Sequence, residues 1–464
     1  MTTINSSVPY FEKVANQWDD LRTGYFSEAV RDSAIAKAYL HPEMTVADVG
    51  AGTGFVSAGL APLVKKIHVL DGSNGMLDVA RKNLAQYTNL EFQNADGLAL
   101  PLPDSSIDAA FANMYLHHCP DPLAVIREMV RMLHPGGRLI ITDIDIHTHE
   151  WLKAEMADVW LGFERDQIRA WFEHAGLVNV IVDCTGEFCQ SDCKSDAGEH
   201  ADISIFVAAG TKRIIARESV QASYAARALG GDCGCDSGCC TPGVISLDEI
   251  GSVNWDGGYT PTDKTDIPAE AADFSLGCGN PLAMATLREG QTVLDIGSGG
   301  GLDAFIAARR VGKTGQVIGL DMTPAMLQRA RRSAKKGGFG NVKFKHGYAE
   351  KMPVPDGTVD VIISNCVINL AEDKAKVFGE AYRVLKAGGR LEVNEMVFGG
   401  AILPSTRTSA QGWAECISGA LPEQEYINLV KQAGFKDVSV RRSTSAGTSA
   451  GAAVYSVQVS ASKD

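Results

Sequence analysis

Short runs of Val, Ile and Leu, five or six residues long, recur along the chain: TVADV (45–49), KIHVL (66–70) and IDAAFA (107–112), then TVLDI (292–296), QVIGL (316–320) and VDVIIS (359–364). Their length and β-branched content predict strands buried on both faces. Between them apolar residues return every three or four positions, as in MLDVARKNLAQY (76–87) and MLQRARRSAKKG (326–337). That spacing predicts amphipathic helices. Strands and helices alternating in this way predict a parallel, doubly wound α/β sheet covered on both sides.

The pattern is written twice. VADVGAGTG (46–54) returns as VLDIGSGGG (293–301), 247 residues later. Asp71, ending IHVLD, returns 250 residues on as Asp321, ending VIGLD. PLPDSSIDAAFANMYL returns as PVPDGTVDVIISNCVI, and PGGRLIITD as AGGRLEVNE, each at an offset of 252. Both copies then end on an amphipathic stretch closing in Ala-Gly and an apolar, β-prone segment. The expectation is two tandem Rossmann-like domains, 1–212 and 263–464. Residues 213–262 fit neither copy and read as a linker plus an extension of the second domain.

Composition narrows the class. The 464 residues carry 43 Lys+Arg against 56 Asp+Glu, a net charge of −13, with 45% apolar and 21% charged residues. This supports buried cores and argues against nucleic acid as a partner. No run approaches the ~20 apolar residues of a membrane span, and the N-terminal residues have no secretory pattern, so a cytoplasmic location without membrane binding is expected. Eleven cysteines in such a chain suggest metal, metalloid or thiol chemistry more than a disulfide scaffold.

A glycine-rich turn between strand and helix lets a ligand approach backbone N–H groups. Both copies read D-x-G-x-G-x-G: Asp48, Gly50, Gly52 and Gly54, then Asp295, Gly297, Gly299 and Gly301. The dinucleotide fingerprint requires glycine where Phe55 and Leu302 stand. The pattern instead resembles the S-adenosylmethionine site of class I methyltransferases. The resemblance implies that the glycine turn receives the methionine part of the cofactor and that Asp71 and Asp321 accept hydrogen bonds from its ribose hydroxyls. It places Asp96 and Glu350 by the adenine, and Met322 beside Asp321 in the same site.

Three cysteines of the second copy stand in separate segments: Cys278 in SLGCGNPLA, Cys366 in SNCVINL after a strand, and Cys416 in AECISGALP. Three thiolates form a pyramidal cage suited to a soft, three-coordinate centre. GCGNP, LDIGSGGGLD, VIGLDMTPAML, ISNCVINL and AECISGALP together resemble the arsenite methyltransferases, from about Tyr259 to Phe435. The resemblance implies that Cys278, Cys366 and Cys416 bind trivalent arsenic, that the substrate is arsenite or its thiol conjugates, and that a thiol reductant of the glutathione or thioredoxin type is consumed. It implies a role in arsenic detoxification. Methyl transfer to a thiol or selenium compound, or metalloid sequestration without catalysis, are the alternatives. Oligomeric state is not legible.

Four more cysteines, Cys233, Cys235, Cys239 and Cys240, precede the second copy. Cys239 and Cys240 match the family's cysteine pair best, and redox or delivery chemistry, a bound metal, and no role all remain open. In the first copy Met114 stands near the Cys366 position, and Cys119, Cys184, Cys189 and Cys193 are its own thiols. His147 and His149 alternate near Asp143 and Asp145, which could suggest a metal but reads as a polar loop after a strand, and no metal beyond trivalent arsenic is expected. HTHEWLKAEMADVWLGF resembles methyltransferases of the ubiquinone-biosynthesis type, without naming an acceptor.

Overall fold

The computed structural model describes residues 7–192, 200–229, 244–247, 251–254, 259–272, 279–283, 285–407, 412–413, 416–449 and 451–464. Cys193, Cys233, Cys235, Cys239, Cys240 and Cys278 lie outside them. The chain forms two compact units, one of Met1–Arg213 with Leu403–Ser405, the other of Ile214–Ile402 and Thr406–Asp464.

The first unit contains β1 (Thr45–Val49), β2 (Lys66–Asp71), β3 (Leu90–Asn94), β4 (Ile107–Asn113), β5 (Leu133–Ile144), β6 (Leu177–Asp192) and β7 (His200–Lys212) in the order β3-β2-β1-β4-β5-β7-β6. All neighbours are parallel except at β7, which runs antiparallel to both β5 and β6. Two-faced burial follows from the strand period. Val46, Phe111 and Ile140 enter one core, while their neighbours Ala47, Ala110, Ala112, Leu139 and Ile141 enter the other.

The second unit repeats this plan. A short hairpin, β8 (Val244–Leu247) and β9 (Gly251–Asn254), precedes β10 (Thr292–Ile296), β11 (Gln316–Asp321), β12 (Val342–His346), β13 (Val359–Asn365), β14 (Leu385–Phe398), β15 (Leu421–Pro422), β16 (Lys436–Ser449) and β17 (Ala452–Ser462). The large sheet has the order β12-β11-β10-β13-β14-β17-β16, with β15 added beside β14. Two doubly wound sheets of the same topology therefore occupy one chain, as the repeated pattern predicts. Ligands of such sheets bind beyond the carboxyl ends of the strands, where the order reverses between the first and fourth strands. Among the described residues no helix is long and apolar enough to cross a membrane.

Candidate functional site

The glycine turns form because only glycine takes their backbone without cost. Gly50, Gly52 and Gly54 have φ of 67, 54 and 89°, and Gly297, Gly299 and Gly301 have 72, 48 and 96°. Close approach adds a second demand. A Cβ on Gly50 would stand 2.2 Å from the Tyr115 ring, and one on Gly297 would stand 2.2 Å from Val367 Cγ2.

The aspartate ending the second strand is set identically in both units. Asp71 accepts the Gly52 N–H at 2.8 Å on one carboxylate oxygen and the Ser73 N–H at 2.8 Å on the other. Asp321 accepts from Gly299 at 2.9 Å and from Thr323 at 2.7 Å. Burial pushes both carboxyls up, and these N–H groups counter it. Each oxygen keeps a lone pair for a further donor, which a ribose diol would supply.

Asp295 departs from the expectation. It lies buried beneath the turn, accepts the Ala304 N–H, and is not part of the cleft wall among the described residues. Asp48 likewise accepts the Ser57 N–H at 3.0 Å and its hydroxyl at 2.6 Å, although it reaches the wall of its own cleft. The acid ahead of the glycines ties strand to helix, because the first N–H groups of a helix have no partner within it. Two residues that sequence reasoning missed line the second cleft instead: Asp303, pushed up to about 6 by burial, and Asn365. Tyr259 donates to Asp303 at 2.6 Å, and Asn365 Nδ2 donates to the Tyr259 hydroxyl at 3.0 Å. Their signal lay beside known motifs, in GLD and SNC.

The second cleft has Gly297, Gly299, Asp321, Met322, Glu350 and Cys366 on its wall. Ser298 also lines it, and its buried hydroxyl has no hydrogen-bond partner. Glu350 accepts from Arg217 at 2.9 Å. Arg217 and Tyr224 belong to the helix Arg217–Ala228, which lies in the segment read as linker plus extension of the second domain and forms one side of the cleft. Glu372 fixes its start by accepting the N–H groups of Ala216 and Arg217 at 3.1 and 3.0 Å. A buried orphan hydroxyl, a diol-matching carboxylate and glycine N–H groups together suit a nucleoside carrying an amino-acid tail.

The cysteines meet at the end of β13. Cys366 and Cys416 are both buried and both have left-handed backbone, at φ 56 and 63°. The Cys416 thiol donates to the Cys366 carbonyl at 2.9 Å, and the Tyr224 hydroxyl hydrogen-bonds the Cys416 sulfur. Two corrections to a cage of thiolates follow. Cys366 is disulfide-bonded, with its partner outside the described residues. Burial, with the nearby Glu395, pushes the Cys416 thiol up to about 12, so it is neutral at physiological pH. Cys278 is not described, but Gly279 after it is held twice by Asn365, donating its N–H at 3.2 Å and accepting at 2.6 Å.

The first unit has a cleft of about 1230 Å³ lined by Asp48, Gly50, Gly52, Asp71, Asp96, Trp18 and His118, among others. Met114, where the second unit has Cys366, has the same left-handed backbone at φ 50°. The four histidines and acids singled out in the sequence do not converge. Asp143 Oδ1 meets His117 Nδ1 at 2.6 Å, and Asp145 makes a bidentate ion pair with Arg165 at 2.8 and 2.6 Å. Cys184 is exposed, while Cys119 and Cys189 are held within the fold.

Residues 47–141 match a family described as methyltransferase domain, and residues 287–434 match a second family so described. The chain carries two methyltransferase domains. Over 233 residues it is 39% identical to an arsenite methyltransferase of Halobacterium salinarum, covering 48% of this chain and 58% of that protein. Over 178 residues it is 39% identical to the arsenite methyltransferase of Homo sapiens, covering 36% and 47%. The chain spans about half the length of these curated relatives. A solved arsenic(III) S-adenosylmethionine methyltransferase from Chlamydomonas reinhardtii is 35% identical, with a TM-score of 0.40, over 44% of this chain and 72% of that one.

Proposed function

We propose that the second methyltransferase domain transfers a methyl group from S-adenosylmethionine to trivalent arsenic. The observation that carries this reading is the meeting of Cys366 and Cys416 at the cofactor cleft, with Cys366 itself on its wall. The arsenite methyltransferase relatives support it. Asp321 holds the donor's ribose, the turn Gly297–Gly301 offers N–H groups to its methionine part, and Glu350, steadied by Arg217, borders its adenine. When bound, the donor supplies an electrophilic sulfonium methyl.

The disulfide at Cys366 must open first, taking two electrons and two protons from a glutathione- or thioredoxin-type reductant. Each thiol then displaces one hydroxide of arsenite as water, forming an As–S bond, with Cys278 as the third ligand. Because Cys416 is a neutral thiol, its proton leaves with that water. The arsenic lone pair forms the bond to carbon, the C–S bond of the donor breaks, and its electrons stay on sulfur. Arsenic is thereby formally oxidised, and external thiols return it to the trivalent state. Cys239 and Cys240 would relay thiol equivalents or arsenic, and the activity would serve arsenic detoxification in the cytoplasm. Asp71, Asp96 and the turn Gly50–Gly54 would hold a second donor in the first domain, which resembles methyltransferases of the ubiquinone-biosynthesis type and whose acceptor the resemblance does not name.

The test incubates the full chain with labelled methyl donor, arsenite and a thiol reductant, then speciates the arsenic. Cys366→Ser should abolish methylated arsenic while donor affinity is kept. Full activity in that variant sinks the proposal, and arsenite binding without turnover in the unaltered chain would mark a sequestering protein instead.

A further inference from the structure

The first unit holds a cluster that has no equivalent among the described residues of the second. His117, His118 and Asp158 are buried together, and their ligand atoms all lie within 4.8 Å of one another. His117 Nε2 is 3.8 Å from Asp158 Oδ1, and His118 Nδ1 is 3.6 Å from the same oxygen. His118 Nδ1–H donates to the carbonyl oxygen of Ala157 at 3.3 Å, and a cation bound at Nδ1 would shift that proton to Nε2 and take both atoms as ligands. Ala157 has φ of 60°, a conformation a non-glycine residue adopts at a cost. That strain turns a backbone acceptor toward the cluster.

We propose that His117, His118, Asp158 and the Ala157 carbonyl bind one first-row divalent cation. Bonds of about 2.1 Å separate adjacent ligand atoms by roughly 3.0–3.4 Å, so closing around a cation takes shifts of a few tenths of an ångström at the Asp158 edges. Asp143, on Nδ1 of His117 at 2.6 Å, fixes that ring so that Nε2 faces Asp158. A carboxylate behind a histidine ligand is the usual outer-shell support of a metal site. Two imidazole nitrogens with two oxygens select Mn, Fe, Co or Zn over Mg and Ca.

The surroundings give the site a use. His117, His118 and Asp158 line a small cavity whose other walls include Trp18, Phe26 and Met114. Those three and His118 also line the cofactor cleft, so the cavity opens beside the methyl donor's place. The cation's free positions would face it, where an acceptor's hydroxyl or carboxylate oxygen would complete the shell. At the offset of 252 the counterparts of His117 and His118 are Asn369 and Leu370, and Asn369 is bonded to the Met396 carbonyl. The site is therefore independent of the arsenic chemistry of the second domain.

Mn²⁺ is the probe, because the chain's thiols hold this hard ion poorly. The full chain should bind one Mn²⁺ whose pulsed EPR spectrum shows ¹⁴N coupling from imidazole. Asp158→Asn and His118→Ala should each weaken binding at least tenfold and remove the Mn²⁺-dependent rise in melting temperature. No bound Mn²⁺, bound Mn²⁺ without nitrogen coupling, or equal affinity in folded variants overturns the proposal. Should both variants fail to fold, the nitrogen coupling of the unaltered chain decides it.

Discussion

Cys416 shows how much a residue's chemistry depends on its burial. Its thiol donates to the Cys366 carbonyl, and burial holds it neutral up to about pH 12. Alkylation requires the thiolate. At pH 8 and without reductant, Cys416 should react with iodoacetamide on the order of 10³-fold more slowly than an ordinary exposed thiol, from the thiolate fractions alone. Peptide mass spectrometry should find Cys184 modified first and Cys416 intact; early labelling of Cys416 would contradict its burial. The position of Cys366 after a strand was legible in SNCVINL. Its disulfide was not, because pairing depends on which distant chain segment comes within reach. Asp295 was misjudged for a related reason: spacing puts an acid near the turn, but only the fold shows that the following helix claims it.

The helix Arg217–Ala228 connects the two chemistries of the second unit. Arg217 steadies Glu350 in the cofactor cleft, Tyr224 reaches Cys416, and Gln221 donates to the Met322 carbonyl at 2.8 Å. Val220 and Ala216 pack with Met396, Trp413 and Cys416 in one apolar cluster. Its N-terminus depends on Glu372. Glu372→Ala removes an acceptor for two N–H groups and should cost about 1 kcal/mol locally. Amides of this helix should then exchange about fivefold faster, with weaker binding of the methyl donor. Unchanged exchange would mean that packing alone holds the helix. In the sequence this segment reads as helix-like, within a linker plus extension of the second domain, and it matches neither copy, so its place at the cleft is not legible. Its counterpart in the first unit, Val8–Val14 with Trp18 on that cleft's wall, has an unrelated sequence, so comparing the copies could not reveal it.

At the scale of the whole chain, duplication predicts two cofactor sites, since the carboxylates of Asp71 and Asp321 accept alike from Gly52 and Ser73 and from Gly299 and Thr323. Calorimetry should find two S-adenosylmethionine molecules per chain. Asp71→Ala and Asp321→Ala should each reduce the count to one, and only the second should stop arsenic methylation. A single site in the unaltered chain would mean that one copy has lost its donor.

The alternation of strands and helices, its duplication and the glycine turns are legible in the chain, whereas the antiparallel strands β7 and β17 are not. The legible features follow from local periodicity, and from backbone angles that glycine alone adopts freely. Packing of distant segments makes Asp295 brace a helix, keeps the Cys416 thiol neutral, sets the helix Arg217–Ala228 on the cleft wall, and brings Asp158 against His117 and His118 across about forty residues of chain. Each of these is a matter of burial and of contact between distant segments. Desolvation and the partner a buried polar group finds are set by the packed fold, and no local pattern carries them.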